Sequence, residues 1–208
     1  MRNICVVGAY QTKFGELWDK SLRDLAVEAG LGAIRDAGIE KQSVQSLYVG
    51  NMSAGRFVGQ EHLGALVADN MGLGRIPATR CEAACASGSV AFRDAYFAVA
   101  SGDIEMALVV GVEKMTDVHG SGALTTLAAA GDQEWEASIG LTFAGLYALM
   151  ARKHMHDFGT TPEQLAQVSV TNHKNGLKNK LAQFQMAITI EDALTSTMIA
   201  DPLRLLDC

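Results

Sequence analysis

Short apolar runs alternate with longer amphipathic stretches from the beginning of the chain to Met115. Short runs rich in β-branched residues predict strands, and a continuous apolar run predicts a strand that is buried on both faces of a sheet. The predicted strands are Asn3–Val7, Ser46–Val49, Pro77–Cys81 and Met106–Val112. Because a helical stretch separates each strand from the next, the pattern predicts a parallel α/β sheet covered by helices.

Capping signals and helical periodicity mark the helices. Ser21 precedes a stretch whose apolar residues recur on one face, with Asp24 at the capping-box spacing and Gly38 as the stop. Thr161 is a second cap, with Pro162 at the first helical position. The predicted helices run from the Ser21 cap to Gly38, from about Gln60 to Met71, from about Cys85 to Ser101, from about Thr142 to His156, and from the Thr161 cap to about Gly176.

The run Cys81–Ser89 places a thiol where a predicted strand turns into an alanine-rich helix. Unsatisfied backbone N–H groups and the positive end of the helix dipole favour a thiolate at such a position. Cys85 is therefore the candidate nucleophile of the chain. The alternative is a helix-cap cysteine that is buried and has no chemical role. The rest of the sequence shows no motif for the base that such a nucleophile normally needs.

Composition and charge exclude several classes of function. The chain has 208 residues, of which 49% are hydrophobic, enough for one good core in a globular, water-soluble protein. A net charge of −6 argues against a nucleic-acid binder, since such proteins carry a basic face. The apolar runs 106–112 and 141–150 are shorter than the roughly 20 residues of a membrane span, and no signal peptide is visible. We expect neither nucleic acid nor a membrane as a partner.

The four cysteines have no zinc-type spacing, so we expect no metal site and a reduced, cytoplasmic protein. Cys5 falls in a predicted buried strand and Cys81 at the end of another, and both are predicted to be small hydrophobic core residues. For Cys81, a resolving thiol for Cys85 is the alternative. The sequence contains no dinucleotide or P-loop motif, so it gives no support for a nucleotide cofactor.

Five short segments, taken in order, carry a family resemblance. They are Gly8–Gly15, Cys85–Gly88, Gly111–Met115, Asn172–Gly176 and Ala182–Phe184. Together they resemble thiolases, and the nearest branch is similar to the archaeal and sterol-carrier-protein-type acetyl-CoA acetyltransferases. Thiolases contain two similar βαβαβαββ halves, with a loop domain inserted in the first half. The resemblance implies a thiolase-like fold in which residues 1–117 are the first half without its final strand, βαβαβαβ, and residues 118–208 are the mainly helical loop domain.

The same resemblance implies an acyl-CoA C-acyltransferase. Cys85 would take the acyl group from one acyl-CoA, and a second acyl-CoA would be joined to it in a Claisen condensation, or the reverse. Two acetyl-CoA typically give acetoacetyl-CoA. Coenzyme A thioesters are then the substrates, and no separate cofactor is implied. In thiolases the second half supplies an asparagine, the histidine of a Gly-His-Pro motif and a second cysteine, so the 208 residues are predicted to be inactive alone.

Two alternatives stay open. One is a non-catalytic scaffold subunit, because archaeal-type thiolases resemble members of complexes with HMG-CoA synthase and a zinc-ribbon/OB-fold protein. The other is a different condensing enzyme such as a ketoacyl or HMG-CoA synthase, which the run Ser87–Ser89 and the long loop insertion disfavour. For an intact molecule the family implies a homodimer or a tetramer.

Overall fold

The computed structural model describes residues 2–208 and divides into two compact units. The first unit comprises the residues up to Thr12 together with Glu16–Ala123, and the second comprises Lys13–Gly15 and Leu124–Cys208. The first unit contains a parallel sheet, and the second is mainly helical. The assignment of residues 1–117 and 118–208 to two family domains stays a prediction.

Three parallel strands form the sheet of the first unit, in the order β2-β1-β3. Gly50 is the register partner of Cys81 on one side and of Gly111 on the other, so the three strands end at the same edge. The parallel α/β sheet is thereby confirmed, with three of its four predicted strands. The elements are α1 (Leu22–Ala37), β1 (Ser46–Gly50), α2 (Ala54–Phe57), α3 (Leu63–Met71), β2 (Ala78–Cys81), α4 (Ser87–Ser101) and β3 (Ala107–Gly111).

Local chemistry explains where α1 begins and ends. The Ser21 hydroxyl accepts the Asp24 N–H at 3.1 Å, and the Asp24 carboxylate accepts the Ser21 N–H at 3.0 Å, which completes the predicted capping box. Gly38 ends the helix with a φ of 65°, a left-handed conformation that favours glycine. Between these ends the helix buries Leu22 and Ala26 in the core.

The core of the first unit joins the sheet to α1 and α3. Its fully buried side chains include Leu47 and Val49 on β1 and Leu63 and Val67 on α3, and Val110 on β3 is nearly as deep. Burying a side chain of this size contributes roughly 1.5–3 kcal/mol each. The cluster therefore fixes β1, the central strand, against the helices that follow it.

Helix α4 packs on β1 and β3 through small side chains, including the buried Ala91 and Ala95. Phe92 and Phe97 of the same helix are 51% and 54% exposed. Within residues 2–208, α4 is thus covered on one side and presents aromatic side chains on another.

The prediction of a strand over Asn3–Val7 is wrong. The segment forms no strand, and Cys5 is exposed, so Cys5 is not a core residue. Two residues beyond the segment, the Ala9 N–H donates to the Asp36 carboxylate at 2.9 Å. A strand needs a hydrogen-bonded neighbour, and none of residues 2–208 occupies that place beside the segment.

Two predicted helices begin later than expected. Helix α3 begins at Leu63 rather than near Gln60, because His62 at its N-cap has a left-handed φ of 55°. Helix α4 begins at Ser87 rather than near Cys85, because the chain first passes through a 3₁₀ turn.

The second unit contains two long helices that each begin after a threonine cap, of which the Thr161 cap was predicted. Thr142 accepts the Gly145 N–H at 3.1 Å, and Thr161 accepts the Gln164 N–H at 3.4 Å. None of the helices described within residues 2–208 has the length and hydropathy needed to cross a membrane. The elements are α5 (Gly122–Ala128), α6 (Phe143–Phe158), α7 (Pro162–Gly176), α8 (Ile190–Thr195) and the antiparallel strands β4 (Met198–Ala200) and β5 (Leu203–Arg204). Helix α5 begins at the end of the first unit.

Candidate active site

Cys85 lies in the connection between β2 and α4, two residues before the helix begins. The connection contains a 3₁₀ turn over Ala84–Ala86, and the Cys85 side chain is exposed. The burial that the alternative required is therefore wrong, and the role of Cys85 as a nucleophile stays a prediction. Exposure beside a helix N-terminus leaves the thiol open to an incoming electrophile.

The turn that carries Cys85 has an unusual backbone. Ala84 has a φ of 49°, a left-handed conformation that is uncommon for a residue other than glycine. The Ala83 N–H donates to the Ser87 hydroxyl at 3.0 Å, and that hydroxyl donates to the Ala84 carbonyl at 2.6 Å. The Glu82 carboxylate accepts the Ala84 N–H. The peptide groups on both sides of Ala84 are thus held by side chains.

A close approach of two backbones sets the position of α4 relative to the sheet. A Cβ placed on Gly50 would lie 2.6 Å from the Gly88 Cα and 2.8 Å from the Ser87 carbonyl carbon. A Cβ placed on Gly88 would meet nothing within 4 Å. Glycine is therefore required at position 50, where it lets the first turn of α4, and with it Cys85, lie directly against the end of β1.

Polar side chains link the segments that follow β1 and β3. The Asn51 amide nitrogen donates to the Val112 carbonyl at 2.8 Å and to the Glu113 carboxylate at 2.9 Å. The other Glu113 oxygen accepts the N–H groups of Met52 and Ser53 at 3.1 and 3.0 Å. Asn51 is only 2% exposed, so these bonds are well shielded from water. The segments that follow β1 and β3 are thereby held together.

None of the sequence motifs pointed to this network. Asn51 and Glu113 each follow a predicted strand closely, and parallel strands that end at one edge bring such residues together. The position of both residues shortly after predicted strands was the signal in the sequence that could have indicated their contact. A third residue, Arg80 of β2, donates to the Met52 carbonyl and to the Glu61 carboxylate, each at 2.6 Å.

Cys81 differs from Cys85 in its surroundings. Its side chain is buried, as predicted, and its Sγ lies 3.8 Å from an Asp94 carboxylate oxygen. Burial raises the pKa of the Cys81 thiol, and the negative charge of Asp94 raises it further. A thiol in this state is a poor nucleophile, which favours the structural role for Cys81 over that of a resolving thiol.

The two histidines of the first unit are the first residues to consider as a base for Cys85. Within residues 2–12 and 16–123, neither His62 nor His119 forms a hydrogen bond with Cys85. In the described part of the chain, no group of three or more His, Cys, Asp or Glu side chains is arranged to hold a metal ion.

Comparison with known proteins shows which family this chain is similar to. The family model described as "Thiolase, N-terminal domain" matches residues 4–207. The whole chain aligns at 58% identity with an acetyl-CoA acetyltransferase of Methanothermobacter thermautotrophicus and covers 54% of that protein. It also aligns in full, at 31% identity, with the sterol carrier protein 2 of Gallus gallus, of which it covers 39%.

A solved structure agrees with these matches. The Ltp2-ChsH2(DUF35) aldolase superposes with a TM-score of 0.78 at 32% identity, over 97% of this chain and 51% of that chain. The chain therefore spans about half of the length of that structure and of the archaeal relative. The thiolase-like fold and the predicted relationship to both branches are confirmed. Because the family model covers nearly all of its residues, the chain belongs to the thiolase family.

Proposed function

We propose that the chain is the nucleophile-bearing part of an acyl-CoA C-acyltransferase whose substrate is acetyl-CoA. The observation that carries the proposal is Cys85, exposed on a turn whose backbone is held in place directly before α4. The name of the relative at 58% identity, acetyl-CoA acetyltransferase, supports acetyl as the transferred group.

In the first proposed step the Cys85 sulfur attacks the thioester carbonyl carbon of acetyl-CoA and forms a new S–C bond. The carbonyl oxygen becomes an oxyanion, and backbone N–H groups at the beginning of α4, which has no side-chain cap, are suited to stabilise it. The bond from carbon to the coenzyme A sulfur then breaks. The coenzyme A thiolate leaves and takes up a proton, and an acetyl thioester remains on Cys85.

The second proposed step needs groups that the first unit does not place at Cys85. A base removes a proton from the α-carbon of a second acetyl-CoA, and this carbon attacks the acetyl group, which gives acetoacetyl-CoA and returns the Cys85 thiolate. We assign these proton transfers to the histidine, asparagine and second cysteine of the second half of thiolases. The chain alone is then expected to stop at the acetyl thioester.

Mass spectrometry of the intact chain after incubation with acetyl-CoA tests the first step. The wild-type chain should gain one acetyl group, Cys85→Ala should gain none, and Cys5→Ala should behave as wild type, because Cys5 is an exposed thiol without the turn and helix that follow Cys85. Acetylation of Cys85→Ala at the wild-type level would overturn the proposal.

A second candidate is a scaffold subunit without catalytic activity. The exposed aromatic side chains Phe92 and Phe97 on α4 favour it, since exposed apolar surface often marks an interaction site. The similar aldolase is named together with a DUF35 protein, which supports assembly with a second protein. We propose an HMG-CoA synthase and a zinc-ribbon/OB-fold protein as partners, and a homodimer or tetramer for the completed enzyme.

Size measurement of natively expressed material separates the two candidates. A stable complex with a foreign protein, together with no acetylation of Cys85, is expected of a scaffold. A homo-oligomer that acetylates Cys85 is expected of the enzyme. The free state of all four cysteines supports a reducing compartment, for which we propose the cytoplasm.

A further inference from the structure

The residue before Cys85 has a backbone conformation that its own chemistry disfavours. Ala84 has a φ of 49°, where the Cβ of an L-residue approaches the following carbonyl oxygen. Such a conformation persists only when surrounding bonds enforce it, and it is often found where a protein has to present a reactive group. The hydrogen bonds around Ala84 are the contacts that can enforce this conformation here.

One hydroxyl supplies two of these bonds. Ser87 Oγ accepts the Ala83 N–H at 3.0 Å and donates to the Ala84 carbonyl at 2.6 Å, and it therefore holds the peptide group before Ala83 and the peptide group after Ala84. The Ser87 N–H donates to the same carbonyl. Ser87 is 4% exposed, so water does not compete strongly for these groups.

This hydroxyl does not serve as the helix cap that a serine at such a position often provides. The N-cap of α4 is Ala86, and no side chain caps the helix. Ser87 instead bonds backward, to the turn that carries Cys85. At the other end of α4, Ser101 also donates to the carbonyl three residues before it, at 2.9 Å, but the left-handed residue beside it is Gly102, with a φ of 86°, and glycine adopts this conformation without strain.

We propose that Ser87 is a positioning residue for Cys85: its hydroxyl holds the left-handed turn at Ala84 and so holds the Cys85 thiol at the beginning of α4. The inference rests on the proposed function in that Cys85 is the nucleophile. It goes further because it assigns a role in the reaction to a side chain that acts through the backbone of the turn.

Alkylation of the full chain by iodoacetamide tests the proposal without acetyl-CoA. The rate at Cys85 is measured by peptide mass spectrometry, with the exposed Cys5 of the same molecules as the internal reference. Ser87→Ala should lower the Cys85 rate relative to Cys5 by roughly fivefold, the factor that corresponds to the net value of one hydrogen bond. Ser101→Ala, which removes the matched bond at the far end of the helix, should change neither rate.

A rescue variant separates positioning from a general loss of stability. Glycine tolerates the left-handed conformation, so Ala84→Gly in the Ser87→Ala background should restore the Cys85 rate to within about twofold of wild type. Ser87→Thr, which keeps the hydroxyl, should also stay within about twofold. An unchanged Cys85 rate in Ser87→Ala, or no recovery in the double variant, would overturn the proposal.

If Ser87→Ala does not fold, two variants at Ala84 test whether the left-handed turn positions Cys85. A β-branched residue resists a positive φ, so Ala84→Val should lower the Cys85 rate while Ala84→Gly should not. Equal rates in these two variants would also overturn the proposal. A wild-type chain that alkylates as expected but takes no acetyl group from acetyl-CoA would refute the proposed function and leave the alkylation result on Ser87 standing.

Discussion

Gly50→Ala is the most direct perturbation of the packing that places Cys85. The new Cβ would lie 2.6 Å from the Gly88 Cα, 2.7 Å from the Gly88 nitrogen and 2.8 Å from the Ser87 carbonyl carbon. Ordinary contact begins near 3.4 Å, so β1 and the first turn of α4 would have to separate by about 0.8 Å. All three neighbours are backbone atoms, so no side-chain rotation relieves the overlap.

We expect this overlap to destabilise the chain by about 2 kcal/mol, in the range for overpacking a well-filled interior. For a chain of this size that corresponds to a decrease of roughly 4–8 °C in Tm. The assay is thermal unfolding followed by circular dichroism.

Gly88→Ala is the matched control, because the same methyl group at the other member of the pair meets nothing within 4 Å. Alanine is also the better helix former by up to about 1 kcal/mol, so the Tm of Gly88→Ala should equal or exceed that of wild type. A Tm for Gly50→Ala no lower than that of Gly88→Ala would refute the packing argument.

Three further predictions address the network, the pH dependence and the cysteines. Glu113→Gln should lower the free energy of unfolding by about 2 kcal/mol, because one carboxylate oxygen that accepts N–H groups is replaced by an amide nitrogen, which donates. The control is Glu105→Gln, at an exposed position, and equal urea midpoints for the two variants would contradict the expectation. Hydrogen bonds from Ser21 hold the pKa of Asp24 below its usual range, so the stability from this carboxylate is present above about pH 4 and is lost as the pH falls through the folded-state pKa. Asp24→Asn should therefore show a smaller decrease in urea midpoint than wild type between about pH 5 and pH 3, and parallel curves would argue against this role. Cys81, whose pKa is raised by burial, should react with a disulfide reagent more slowly in the folded chain than the exposed Cys5 and Cys85; a Cys81 rate equal to that of Cys5 would show that its burial is not stable.

The features that could be predicted from the sequence depend on residues close together in the chain. Ser21 and Asp24 form a capping box whose donors and acceptors lie three residues apart, and Thr161 and Gln164 form another. Such bonds form whenever the local segment is helical, so the pattern is visible in the sequence alone.

Two of the features that were missed depend on residues far apart, and the third is a local conformation for which the sequence has no signal. Asn51 and Glu113 are separated by 62 positions and meet only because β1 and β3 are neighbours in the sheet. The apolar pattern of Asn3–Val7 is typical of a strand, but a pattern cannot supply the neighbouring strand. An alanine gives no signal for a positive φ, so the left-handed turn at Ala84 became visible only with the bonds to Ser87.

The location of the acetyl group after incubation with acetyl-CoA tests the central claim most directly. Peptide mass mapping of the wild-type chain should find one acetyl thioester, on Cys85, with Cys5, Cys81 and Cys208 unmodified. An acetyl group found on Cys5 or Cys208 as often as on Cys85, or on no cysteine at all, would contradict the account.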